Sequence, residues 1–335
     1  MKKSLLALAV LGAFAGVASA QSSVSMYGTI DLNGKYVKND GSGARYSLSQ
    51  DGINSSQLGF KGTEDLGGGL KAGFDLIAGV SADTGQTSGD KSAKFFNRRS
   101  VVKLSGSFGE VRLGRDYTPT FWNYTIFDAF GTNGLGDSSH VLVSTQPTFV
   151  RADNAVQYFL PGGLGGIYGQ AMVAAGEGVN TGKYNGLRIG FAAGPFDIAG
   201  AYAESNSTNK AKSANIGASY DLGFLKLMGY YAEVKVPGQK QESFSISGIV
   251  PIGQGEIHAG YSAGKFTTPA SSKVDQFALG YVYNLSKRTA VYSTVSLLNN
   301  KDNATNSVAG GSSISAAPTA GGKSQGAEFG IRHFF

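Results

Sequence analysis

The sequence predicts an all-β chain closed into a transmembrane antiparallel β-barrel of about 16 strands. Three observations carry this. Apolar and polar residues alternate with period two in segment after segment. Many of these segments run nine to thirteen residues, where strands of soluble proteins run about five to six. The connections alternate between tight turns and long polar stretches, as they do in a barrel with short turns at one rim and long loops at the other.

The elements follow in order. Residues 1–20 read MKKSLLALAVLGAFAGVASA: a basic start at Lys2 and Lys3, a short apolar run from Leu5 to Val17, and the small residues Ala18-Ser19-Ala20. This is the pattern of a cleaved secretory signal peptide, too short to serve as a membrane anchor. One domain, residues 21–335, is then expected. In its first strand Val24, Met26, Gly28, Ile30, Leu32, Gly34 and Tyr36 share one parity, and Ser25, Tyr27, Thr29, Asp31, Asn33 and Lys35 the other. Leu58 and Phe60 then oppose Gln57 and Lys61; Leu70, Ala72, Phe74, Leu76 and Ala78 oppose Lys71, Gly73, Asp75 and Ile77. Val111 and Leu113 oppose Glu110 and Arg112, Ala152 and Val156 oppose Arg151 and Asp153, and the last strand ends on Phe335.

Alternation alone also describes a soluble sandwich. Strand length, a polar face rich in glycine and charge, and Tyr or Phe near strand ends favour the barrel, whose interfaces carry aromatic girdles. The segments DLGGG, SGSFGE, DLGF and NLSKR read as tight turns, and those near 37–56, 80–96, 116–150, 204–213 and 299–324 as long loops. Sixteen strands of about 10 residues use roughly 160, leaving enough chain for turns and loops and a water-filled axis.

Composition removes other classes. There are no cysteines, so disulfide scaffolds, thiolate metal sites and cysteine nucleophiles are excluded. Charged residues are 16% of the chain, and fifty glycines in 335 residues are about twice the usual share. No apolar run reaches the length of a membrane helix. His140, His258 and His333 are scattered with no metal-binding or catalytic spacing, so no catalytic residue, metal or cofactor is expected. The basic excess, +6 for the whole chain, alternates with apolar residues and forms no dense patch, which argues against nucleic acid.

GTEDLGGGLKAGF (62–74), RRSVVKLSGSFGEVRLGRDYTPT (98–120), RADNAVQYFLP (151–161), LGYVYNLSKRTAVY (279–292) and GIRHFF (330–335) resemble the general porins of β-proteobacteria, the anion-selective ones most closely. The resemblance implies a barrel of the outer membrane with an inward-folded third loop, a homotrimer among outer-membrane lipid and lipopolysaccharide, and passive diffusion of small anions or organic acids. It places the pore-narrowing loop at 116–150, with Asp128 presenting an acid to the lumen and Phe335 serving assembly. It matches Arg151 to a wall arginine, which strand parity also points inward. A second family position falls on Arg98, whereas parity favours Arg99, so both are candidates. A third family arginine is replaced by Gln57, and the third-strand acid by Ile77. Parity points Lys61, Lys103 and Arg112 inward, adding them to the basic wall. The alternative is a closed barrel serving as adhesin or anchor; the inward loop and inward charges favour the channel.

Overall fold

Each period-two segment forms a strand and pairs antiparallel with the next, and the last strand returns to the first. The computed structural model describes residues 23–87, 94–142, 148–178, 182–206, 210–267, 271–309 and 316–335; the expected signal peptide, 1–20, lies outside the described residues. The strands are β1 Ser23–Asn39, β2 Gly43–Gln50, β3 Gln57–Gly67, β4 Leu70–Ser81, β5 Gln86–Thr87, β6 Arg99–Gly106, β7 Gly109–Tyr117, β8 Arg151–Phe159 and β9 Ile167–Ala174. They continue as β10 Lys183–Ala193, β11 Phe196–Asn206, β12 Lys210–Asp221, β13 Lys226–Val236, β14 Gln239–Ile252, β15 Gly255–Thr267, β16 Ser272–Asn284, β17 Thr289–Asp302 and β18 Lys323–Phe334. One α-helix, α1 Pro119–Ile126, follows β7.

These segments make sixteen staves. β2 and β3 share one stave, pairing with successive halves of β1 (Leu32 with Gln50, Thr29 with Gln57), and β5 is a stub on the end of β4. Closure runs from Thr29 opposite Phe334 to Asn39 opposite Ser324. Beyond it, Gly28 and Phe335 exchange both backbone hydrogen bonds at 3.1 Å. Every stave therefore pairs on both sides, which closes the sheet on itself.

The wall is inverted relative to a soluble protein. Val24 and Met26 are 70% and 62% exposed, and Val102, Leu113, Ile189, Ile246 and Phe277 are likewise exposed on the outside. Asp31, Asn33, Gln157, Asn215, Ser243, Ser245 and Ser247 are buried within. A charge on the outer face at mid-membrane costs about 2–4 kcal/mol, and the alternation keeps charge off it.

The connections divide between two rims. Short turns at 68–69, 107–108, 194–195, 222–225, 253–254 and 285–288 mark one. Gly67, Gly68 and Gly69 all have positive φ there, a conformation that costs other residues a steric clash. At the other rim two expected loops shrink. Within 37–56, β1 and β2 extend to a turn at 40–42, and within 204–213, β11 reaches Asn206 and β12 starts at Lys210. Both segments are polar because these strand ends rise above the membrane, so polarity there marks water and not irregular backbone.

The long connection between β7 and β8 folds into the barrel. Pro119 opens α1 at its first turn, where the missing N–H is not needed. Asn123 Nδ2 donates to Asn215 Oδ1 at 2.7 Å and to Ala199 O at 3.0 Å, while Asn215 Nδ2 returns a bond to Thr120 O at 2.9 Å. The loop then crosses the inner wall. Ala129 N donates to Ser247 Oγ at 2.9 Å, His258 Nδ1 to Ala129 O at 2.7 Å, Gln276 Nε2 to Leu135 O at 2.8 Å, and Leu135 N to Glu328 Oε1 at 3.0 Å. Phe127, Tyr124, Leu142, Ala199, Tyr230 and Ala232 pack as one buried cluster beneath it. The small inward residues of β11–β16 leave room for this layer.

Candidate functional site: a one-sided passage beside the inner loop

The loop lies against β10–β18, so the free passage runs along the opposite wall. It is a cavity of about 610 Å³, with Gln57, Ile77, Arg98, Arg99, Tyr117 and Arg151 on the barrel side and Thr125, Thr132, Asn133, Asp137 and Ser139 on the loop side. A break in the second stave holds the loop edge in place. Six residues, 51–56, stand opposite the two β1 residues between the paired halves. The buried Asp31 carboxylate accepts from the backbone N–H of Gly52, Ile53 and Asn54 at 3.3, 2.9 and 2.8 Å, and from Tyr292 Oη. Ser55 Oγ then donates to Asn133 Oδ1 of the loop at 3.0 Å.

Arg98 and Arg99 both line the cavity. Arg99 obeys strand parity. Arg98 stands one residue before β6, where its N–H bonds Ile77 O at 3.1 Å, so alternation within the strand does not fix its side. Arg151 opens β8 and comes to the same place: its Nε donates to Arg98 O at 2.8 Å. Tyr117 organises the pair. Its hydroxyl accepts from Arg98 Nη2 at 3.0 Å and from Arg151 Nη2 at 2.6 Å, and the Arg151 guanidinium lies 4.2 Å from its ring centroid. Phe121 stacks on that ring at 5.4 Å and Trp122 meets it edge-on at 5.3 Å, fixing Tyr117 and through it both arginines.

The arginines differ in their counter-charges. Arg99 donates to Asp116 Oδ1 at 2.8 Å and to Asp75 Oδ2 at 2.9 Å. Arg112 bonds Glu110 at 2.6 Å and Asp116 Oδ2 at 2.7 Å, so Asp116, 2% exposed, bridges two cations. Among the described residues, neither Arg98 nor Arg151 has a carboxylate within ion-pair distance. Asp51 exerts a longer-range pull on Arg98.

Asp128 does not face the lumen, contrary to the sequence expectation. It is 6% exposed and turned into its own loop, accepting from Phe130 N and Thr132 N at 3.3 Å and from Ser138 Oγ at 3.1 Å. Tyr230 Oη closes the chain by donating to Ser138 Oγ at 2.9 Å. Burial, and then the nearby Asp137 charge, push the Asp128 carboxyl up to about 6. Asp137 is the acid that lines the cavity. An acidic residue flanked by aromatics reads alike in sequence whether it faces water or latches a loop.

Lys61, Lys103 and Arg112 lie outside this cavity, toward the short-turn rim. Lys61 Nζ sits 5.1 Å from the Tyr27 ring, Lys103 stands opposite Arg112, and Arg112 packs over Phe159 at 4.2 Å. Phe335 follows Phe334, which lines the cavity, and closes the barrel against Gly28. Tyr117 and Asp137 line the cavity but carry no alternation signal, one at the end of β7 and the other in the loop. Near the end of β7 the register slips: Gly114 faces Ala155 but Asp116 faces Ala152, so the extra residue lies on β8, where Asn154 has φ +53°. Asp116 keeps the inward parity of Arg112 and is buried, while Arg115, outside the cavity lining, donates to Asn97 O and to Asp153 Oδ1, each at 2.7 Å. Asn154 was the available signal, since Asn takes positive φ more readily than most residues. No cluster of metal-binding side chains occurs among the described residues.

A sequence profile described as Gram-negative porin matches residues 7–303. The chain belongs to the Gram-negative porins. Outer membrane porin protein 32 of Delftia acidovorans is 38% identical over the whole of both chains. An outer membrane porin protein of Bordetella pertussis is 30% identical, covering 87% of this chain and 93% of its own. The solved anion-selective porin from Comamonas acidovorans superposes with a TM-score of 0.84 at 36% identity, covering 94% of this chain and all of its own. OmpT of Vibrio cholerae shares the fold at TM-score 0.69 and 15% identity, covering 95% and 99%. This porin is a channel of the outer membrane and not an enzyme.

Proposed function

We propose that this porin passes small hydrophilic solutes passively and favours anions, including small organic acids. One observation carries the reading: among the described residues, Arg98 and Arg151 face the narrow passage without a carboxylate partner, while the neighbouring Arg99 and Arg112 are balanced by Asp75, Asp116 and Glu110. Charge in a passage walled by low-dielectric protein attracts the opposite ion. The relative from Comamonas acidovorans bears the description anion-selective, which supports the same direction. The working unit is a homotrimer, as in the trimer form described for OmpT, embedded in outer-membrane lipid and lipopolysaccharide. Residues 1–20 are removed on export and 21–335 form the mature domain.

The test is the zero-current potential of the purified protein in a planar bilayer under a KCl gradient. Chloride preference at 0.1 M that fades at 1 M is expected, because the Debye length falls from about 10 Å to about 3 Å. Potassium preference at low salt refutes the reading.

A further inference from the structure

The outer face of β15–β17 changes character at the loop rim. Lys265 of β15 stands opposite Lys273 of β16, which stands opposite Lys301 of β17. All three are exposed. Like charges directly opposite across a ladder repel, and here three share one row. The nearby acids are already engaged, one of them with Lys301 of the row itself. Glu242 is opposite Lys265 but sits 2.8 Å from Lys240 Nζ and accepts from Tyr231 Oη at 2.8 Å. Asp275 accepts from Asn299 Nδ2 at 2.9 Å and lies 3.6 Å from Lys301 Nζ. Among the described residues, Lys265 and Lys273 have no carboxylate within ion-pair distance.

Immediately toward the membrane the same face is apolar, with Phe244, Tyr261, Phe277 and Leu297 exposed. Ala263 stands between Phe244 and Asp275 in the register. Its short side chain leaves a groove of about 410 Å³ that runs past Phe244 and Tyr261 and reaches the three lysines. The row sits at the level where lipid headgroups meet the wall, with the groove in acyl-chain territory below.

We propose that this groove is a binding site for an outer-leaflet lipid with a phosphorylated headgroup, its phosphate on Lys265 and Lys273 and an acyl chain over Ala263 between Phe244 and Tyr261. Strands lie about 4.8 Å apart, so the outer lysines of the row are about 10 Å apart at their backbones and span a headgroup of sugar size. The proposal rests on the outer-membrane setting of the barrel and is independent of its ion preference.

The test measures binding of bisphosphorylated lipid A, its enzymatically dephosphorylated form, and inorganic phosphate to the purified full-length porin in mild detergent. A lysine near an anionic lipid surface is worth about fivefold in affinity, so K265A/K273A is expected to weaken lipid A binding about thirtyfold. Ala263→Trp fills the groove without changing charge and is expected to weaken it as well, while K212A, on another part of the rim, leaves it unchanged. Both variants should keep the wild-type zero-current potential and heat-modifiable mobility, which shows that they fold. Equal binding of lipid A by wild type and K265A/K273A overturns the proposal. So does full competition by millimolar inorganic phosphate, or equal affinity for the dephosphorylated lipid.

Discussion

Replacing Arg151 with Gln removes one unpaired positive charge from the passage, and the size of the effect follows from the geometry. A cavity of about 610 Å³ has an equivalent radius of about 5 Å. At that distance a unit charge acts on a passing ion with about 0.8 kcal/mol in a water-like dielectric. Screening over a Debye length of about 10 Å at 0.1 M reduces this to about 0.5 kcal/mol, and over about 3 Å at 1 M to about 0.15 kcal/mol. The loss raises the energy of chloride and lowers that of potassium by the same amount, so the permeability ratio feels it twice. Arg151→Gln is therefore expected to lower the chloride-to-potassium ratio about fivefold at 0.1 M and less than twofold at 1 M. Zero-current potentials at both salts read this directly, with Arg151→Lys as the charge-conserving control. An unchanged ratio at 0.1 M, or a shift of equal size at both salts, would refute the electrostatic reasoning.

Tyr117→Phe keeps both charges but removes the acceptor shared by Arg98 and Arg151. Charged hydrogen bonds are worth about 1.5–3 kcal/mol each, so selectivity should stay within about twofold while single-channel current noise rises; unaltered noise would argue against the anchoring role. Asp137→Asn should increase chloride preference, whereas Asp128→Asn should leave it nearly unchanged because that carboxyl faces its own loop; zero-current potentials with the two shifts reversed would contradict the placement. Asp128 at about 6 lies above its unfolded value of about 3.9. Its contribution to loop stability is therefore full below about pH 4 and is lost as pH rises through about 6, a change of order 3 kcal/mol, and amide exchange at Phe130 and Thr132 should show the trend in wild type and lose it in Asp128→Asn. Deleting Phe335 removes the backbone pair with Gly28 that ends the closing seam and should lower the yield of assembled porin in the outer membrane; wild-type yield would remove its assembly role.

Alternation made the wall legible because a period of two has one consequence: each residue's side is set by its neighbour's. Where the backbone leaves the ladder the rule stops. Arg98 precedes β6, an extra residue at 153–154 shifts β8 against β7, and residues 51–56 step out of their stave. The inner loop was harder still. Its aromatics were recognisable as anchors, but whether Asp128 or Asp137 meets water depends on how residues 128–138 close on Ser138 and Tyr230, a long-range contact that local pattern does not encode. The counter-charges Asp75 and Asp116, which separate the balanced arginines from the unbalanced ones, likewise emerge only from three-dimensional register.

The lopsided placement of the inner loop has an evolutionary corollary. Apart from Thr29 and Phe334, the residues around the passage fall between Asn54 and Arg151, whereas the opposite half of the barrel serves as a packing bed. Permeation preference can thus be rewritten by drift or by recombination of one contiguous gene segment, without disturbing the inner surface of the remaining staves. A chimera exchanging that segment between two relatives should inherit the donor's diffusion properties and the recipient's outer surface together.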